Sequence, residues 1–145
     1  MCACDPLRFT ILISLSLLLS VGTLQMAHAS YSDISISDPT MVDSSGHALS
    51  SYQVGQEIGV QSMLTNHGTS NQNYAYMVQV VDSSGVTDYF EASSASLLGN
   101  QTFTVVQAWT PKEPGTYTVQ VFVWNSLASA VPLTNVVEKQ ITVQS

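Results

Sequence analysis

The sequence predicts an all-β domain: an antiparallel β-sandwich of about seven to eight strands behind an amino-terminal apolar signal helix. Three observations lead there. After residue 30, apolar residues recur with period two, the mark of strands with one buried face. Turn signals built from Gly, Pro, Asn and Asp interrupt the chain every 8–15 residues. No window beyond the leader shows the i, i+3, i+4, i+7 pattern of an amphipathic helix.

The amino-terminal segment stands apart. "FTILISLSLLLSVGTLQMAHAS" follows Arg8, and no charge occurs between Arg8 and Asp33. Ala27-His28-Ala29 offers a small-residue cleavage site before Ser30, so residues 1–29 read as a signal peptide. The uncharged run is also long enough to span a bilayer, which leaves an uncleaved anchor as the other reading. Residues 30–145 then form one domain, and 116 residues suffice for a core without staples.

The strands follow in order. "SDISIS" aligns Ile34 and Ile36 on one face, and Pro39 ends that strand or confines it to an edge. Met41–Val42 form a short strand running into "DSSG". "YQVGQEIGVQSMLTN" puts Ile58, Val60 and Leu64 on one face, and "NHGTSNQN" is a polar loop. "YAYMVQVVD" aligns Tyr74, Tyr76, Val78 and Val80. A second "DSSG" joins it to "VTDYFEA". "LLGNQ" turns into "TFTVVQAW", and "TPKEPG" turns into "TYTVQVFVW", with Tyr117, Val119, Val121 and Val123 inward. "VVEKQITVQ" closes the set with Val137, Ile141 and Val143. In both DSSG copies, Gly46 and Gly85 supply the positive φ a hairpin or bulge requires, and the Asp side chain can bond its own turn.

Composition excludes several activities. Cys2 and Cys4 lie in the leader, so the domain has no thiol chemistry, disulfide or cysteine-held metal. Residues 30–145 carry nine acids and two bases, Lys112 and Lys139, a net charge of −7. Such a surface repels nucleic-acid phosphates and anionic lipid; a membrane enters only if the leader stays uncleaved. A serine hydrolase needs Ser, His and an acid together, whereas His47 and His67 sit in separate turns and no G-x-S-x-G occurs. A blue-copper site lacks its cysteine; a weaker one would draw on His47, His67 and Met63. Calcium would require Asp38, Asp43, Asp82 and Asp88 to converge, since no D-x-D-x-D-G loop is present.

The landmarks carry a resemblance. "VGQEIGVQSMLTN", "VQVVDSSG" and "SLLGNQTFTVVQAWTPKEPGTYTVQVFV" resemble the strands and turns of bacterial and archaeal extracellular Ig-like modules of the CARDB (cell-adhesion-related) type. The likeness covers about residues 50–143 and extends to small secreted proteins of ammonia-oxidising archaea. It implies an Ig-like sandwich and a secreted or cell-surface location. Its final strand departs from those modules, because "VWNSLASAVPLTNVV" intervenes there. Tyr117 fits a tyrosine corner, and Trp109 a core plug at a strand end.

The expected function is non-catalytic: protein–protein contact or envelope structure, with no cofactor. The alternative is a calcium- or copper-binding accessory protein of the envelope. The partner is an unknown envelope protein, and homo-oligomerisation is open. With Tyr117 to Val123 inward, Phe122 and Trp124 point outward, beside Met77 and Val81 of the neighbouring strand. These four form the candidate contact face, unless the loop "NSLASAVPL" folds over them. Asn100-Gln101-Thr102 is an N-glycosylation acceptor in an expected exposed turn.

Overall fold

The computed structural model describes residues 32–145; the leader and its cleavage site lie outside them. Nine strands run in chain order: β1 Ile34–Ile36, β2 Thr40–Val42, β3 Tyr52–Gln53, β4 Ile58–Asn66, β5 Gln72–Asp82, β6 Thr87–Leu97, β7 Thr102–Trp109, β8 Gly115–Trp124 and β9 Val137–Gln144. There is no helix among the described residues. The strands form two sheets. In the four-stranded sheet, β4 is flanked by β1 and β2 on one side and β7 on the other. The five-stranded sheet has the order β3-β9-β8-β5-β6. All pairs are antiparallel except β3 with β9.

The all-β sandwich expected from the periodicity is the observed fold. Ile58, Val60 and Leu64 of β4 face Tyr76, Val78 and Val80 of β5 and Val119, Val121 and Val123 of β8 in one core, each fully buried. Alternation puts these residues inward, because successive side chains on a strand leave opposite faces. Burial of each branched side chain contributes about 1.5–3 kcal/mol. Pro39 separates β1 from β2 where no ladder N–H is needed.

Two boundaries differ from expectation, and the first accounts for the extra strand. "YQVGQEIGV" is not one strand: the chain turns at Val54–Glu57. Gly55 takes φ 77° and its N–H reaches Pro111, while the Gln56 side chain caps the Gln53 N–H. Tyr52–Gln53 therefore joins the five-stranded sheet and Ile58–Asn66 the other. Likewise β6 continues through Ser93–Ser96 to Leu97. Those short polar residues show no apolar alternation, yet β5 supplies a full register opposite them, Tyr76↔Ser93 to Gln72↔Leu97.

The registers define two ends. Ile34, His67 and Leu97–Gln101 lie at the amino-terminal end. Both DSSG turns, Glu57 and the Thr110–Pro114 turn lie at the opposite, turn end. The amino-terminal end is closed by close backbone approach. A Cβ on Gly99 would collide with the backbone of Thr69. Gly85 differs: its φ is 86°, but open space surrounds it. Gly99→Ala should therefore reach the top of the ~1–3 kcal/mol range of overpacking. Gly85→Ala should cost about 1–2 kcal/mol from backbone strain alone. Urea unfolding of the two variants checks the order.

Candidate functional site

At the turn end, β7 and β8 bring two aromatic rings together. Trp109 and Tyr117 pack edge to face, with centroids 5.0 Å apart and planes at 67°. The Tyr117 hydroxyl donates to the Glu113 carbonyl at 2.9 Å, bracing the Pro-Gly turn that precedes β8. Burial raises the Tyr117 pKa, reinforced by the carboxylates of Asp88, Glu113 and Asp82. The Trp109 Nε1–H donates to Asp88 Oδ2 at 2.8 Å. Asp88 reaches it through a β-bulge: Val80 pairs with Tyr89 and Val81 with Thr87, so Asp88 is the extra residue in β6 and its side chain is re-aimed. Nothing in the sequence linked Asp88 to Trp109, because a bulge breaks the period-two pattern locally.

The two DSSG turns share one construction. Asp43 Oδ1 accepts the N–H of Ser45 and of His47, and Gly46 takes φ 83°. Asp82 Oδ1 accepts the N–H of Ser84 and of Val86 and the Ser84 hydroxyl, and Gly85 takes φ 86°. In each turn one carboxylate oxygen satisfies the backbone that the reversal would leave unpaired. The His47 N–H lowers the Asp43 pKa most; the Ser84 hydroxyl does so for Asp82.

The residues that a metal would recruit lie apart. His47 belongs to the turn end and His67 to the amino-terminal end, while Met63 sits between them on the outer face of β4. Among the described residues no three His, Cys, Asp or Glu side chains come together to hold a metal. Sequence reasoning missed one pair: Ser35 Oγ lies 2.8 Å from His67 Nε2. The pair is exposed on edge strand β1. Among the described residues no carboxylate bonds to Nδ1, so the orienting group of a triad is missing.

The candidate contact face lies on the outer side of the five-stranded sheet. Register places Met77 beside Phe122 and Ala75 beside Trp124. Met77, Gln79, Phe90, Phe122, Trp124 and Leu127 line a shallow, almost wholly apolar groove of about 290 Å³. Its composition corrects the expectation in three ways. Met77 is only 2% exposed and forms the floor rather than the surface, because larger neighbours crowd it. Val81 faces outward but lies outside the groove, toward the turn end. Phe90 of β6 and Leu127 of the β8–β9 loop join the walls. That loop flanks the groove without covering it. Asn125 Oδ1 holds it back by accepting from Ser129 and Val131, and Leu127 stays 51% exposed.

Asn100 lies on the exposed β6–β7 turn with φ 59°, and its side chain has no hydrogen bond among the described residues. The Gln101 side chain closes this turn by accepting the Leu98 N–H.

Comparison with known proteins fits this architecture. A family model described as S-layer A-like matches residues 19–144. The chain belongs to the S-layer A-like family. No curated protein matches it by sequence. Among solved structures, the S-layer A-like fold resembles the CARDB domain of the PF1109 protein from Pyrococcus furiosus, a structure in complex with di-metal ions. The TM-score is 0.57 at 18% identity, over 79% of this chain and 90% of that one. It resembles the C-terminal domain of wzt at TM-score 0.59 and 9% identity, over 79% of this chain and 75% of that one. A β-glucuronidase of glycoside hydrolase family 2 matches at TM-score 0.58 and 14% identity, but the chain spans only 11% of that protein. These identities establish the Ig-like fold alone. The CARDB likeness read from the sequence is borne out at that level.

The carboxylates of the two DSSG turns set an acid sensitivity. Both have pKa values below the ordinary 3.8, so each stabilises the S-layer A-like fold above that pH. The contribution is lost as pH falls through the folded-state value. Asp82→Asn keeps an acceptor oxygen but cannot titrate. The urea midpoint of the variant should therefore fall less between pH 5 and pH 3 than that of the parent. Tyr117→Phe should cost about 1 kcal/mol at neutral pH by removing the corner hydrogen bond, measured by the same unfolding experiment.

Proposed function

We propose that this domain is a non-catalytic Ig-like module of the cell envelope, exported to the cell surface or the extracellular space. Its contacts are with protein, through the outer face of the five-stranded sheet. The groove floored by Met77 and walled by Phe90, Phe122, Trp124 and Leu127 carries this reading. Contiguous exposed apolar surface rimmed by polar residues is a mark of protein-contact sites. Membership of the S-layer A-like family supports an envelope location, as does the apolar leader of residues 1–29. The acidic domain, with two bases against nine acids, favours neither nucleic acid nor anionic lipid as a partner.

Asn100 is the proposed acceptor of one N-linked glycan. Its side chain is exposed and unbonded, and Thr102 completes the triplet.

Trp124→Ser tests the contact face. Trp124 is half-buried at a strand end, so its loss should lower the melting temperature only modestly, while binding to the envelope fraction weakens about tenfold or more. A large loss of stability with unchanged association would sink the reading. Intact mass of protein from a glycosylating host tests Asn100. One glycan is expected on the parent and none on Thr102→Ala; bare polypeptide in the parent would exclude the site.

A further inference from the structure

The contact face ends at a strand with nothing beside it. β6 is the outer strand of the five-stranded sheet, and among the described residues no strand pairs with its free side. Such an edge presents a row of unpaired N–H and C=O groups, and proteins usually guard it with Lys, Pro or a bulge. β6 is 11 residues long, and "TDYFEASSASL" contains no Lys, Arg or Pro. Its one bulge, at Asp88, lies next to the hairpin and leaves Tyr89–Leu97 regular. Along that run Ala92, Ser93, Ser94, Ala95 and Ser96 are small enough for another backbone to approach.

We propose that the free edge of β6 pairs with β6 of a second copy, antiparallel, about a twofold axis at Ser94. The proposal rests on the reading of this sheet as a contact surface and names its partner. Faces restrict the register. An axis perpendicular to the sheet pairs outward residues only with outward residues, so it must pass through a residue position. Placing it at Ser94 pairs Glu91–Leu97 with its own copy, sets Ala92 opposite Ser96, and brings Phe90 opposite Leu98, the first residue beyond the strand. Phe90 and Leu98 are 58% and 54% exposed in the single copy. The register thus gives each of two large exposed apolar residues an apolar partner, twice per pair.

Charge is compatible with the pairing despite a net −7 on each copy. Glu91 falls opposite Leu97, six residues from its own symmetry mate. At strand rise that is about 20 Å, beyond the ~8–10 Å over which exposed charges act in physiological salt. Asp43, Glu57, Asp82 and Glu113 sit at the turn ends, which antiparallel pairing directs away from each other. Two five-stranded sheets become one of ten strands. Its outer face carries both grooves, with a Phe90 from each bordering the seam.

The test uses the full chain with Cys2 and Cys4 replaced by serine. Ser94→Cys then introduces a sole thiol at the axis, where opposed Cα atoms lie about 4.5–5.5 Å apart, within disulfide reach. Mild oxidation should convert it to a covalent dimer, while Thr104→Cys on the outer face of β7 stays monomeric. Ser94→Lys sets two ammonium groups against each other. It should weaken self-association by at least about tenfold in light scattering, although it reduces the overall negative charge. Thermal melting verifies that each variant is folded, and Ser94→Cys serves as the mild variant if Ser94→Lys is not. A parent that is monomeric at all concentrations, or Ser94→Cys that fails to cross-link, overturns the proposal. So does association that survives Ser94→Lys but is lost in Trp124→Ser, which would assign it to the groove. Loss in Ser94→Lys with retention in Trp124→Ser upholds the edge and fails the groove.

Discussion

The side chain of Asn66 ties the two sheets together at the amino-terminal end. It closes β4 and is only 1% exposed. Its Nδ2 donates to the carbonyls of Ser70, Leu97 and Leu98, and its Oδ1 accepts the Gly68 N–H. One amide thereby meets four backbone groups from the β4–β5 and β6–β7 crossovers, where the Leu98 carbonyl also accepts the Gln101 N–H. Its reach to Leu97 and Leu98 joins the end of the four-stranded sheet to the end of β6. The placement of the β6–β7 turn follows, including the exposure of Leu98 and Asn100. Gly99 is the corollary, since only a residue without Cβ fits against Thr69.

The remaining polar tethers lie at ends and edges, with one in the middle of the core. Tyr76, fully buried on β5, donates to Ser62 Oγ at 3.2 Å across the sandwich. Burial pushes its pKa up to about 12, with the Ser62 bond opposing. Gln107 spans β7, Ser93 of β6 and the Tyr76 carbonyl through its Nε2, and its Oε1 is buried with no partner among the described residues. Asp88 holds Trp109. Between these points the core is aliphatic. The arrangement separates two tasks: apolar burial supplies most of the stability, and directional bonds fix how the sheets sit on each other. On the outer face of the five-stranded sheet, the polar pairs Gln79–Thr87 and Gln120–Glu138 lie beside apolar side chains that remain in reach of a partner.

Particular residues show how far the pattern could be read. Ile58, Val60, Leu64, Tyr76 and Val121 lie inward as their alternation required, because each sits in a regular strand with one face dry. The same alternation failed for Ser93–Ser96, which are held in β6 by ladder bonds to β5 and not by burial of their own. It failed at Gly55, where a glycine permits a reversal that apolar content does not announce. The contact face was half visible. Phe122 and Trp124 point outward by parity, but Phe90 and Leu127 reach the groove through register and loop geometry. Met77 is covered by neighbours that parity does not count.

The sequence by itself determined the strand faces, the DSSG turns, the acidic balance and the absence of thiol chemistry from the domain. All of these depend on a residue's own type or on neighbours a few positions away. Only the tertiary structure decided which strand is left at an edge, which carboxylate meets which indole and which apolar residues gather into a groove. Those properties belong to pairs far apart in the chain, such as Asp88 with Trp109 and Met77 with Phe122. Their approach is set by register between strands, and register is a property of the assembled sheet.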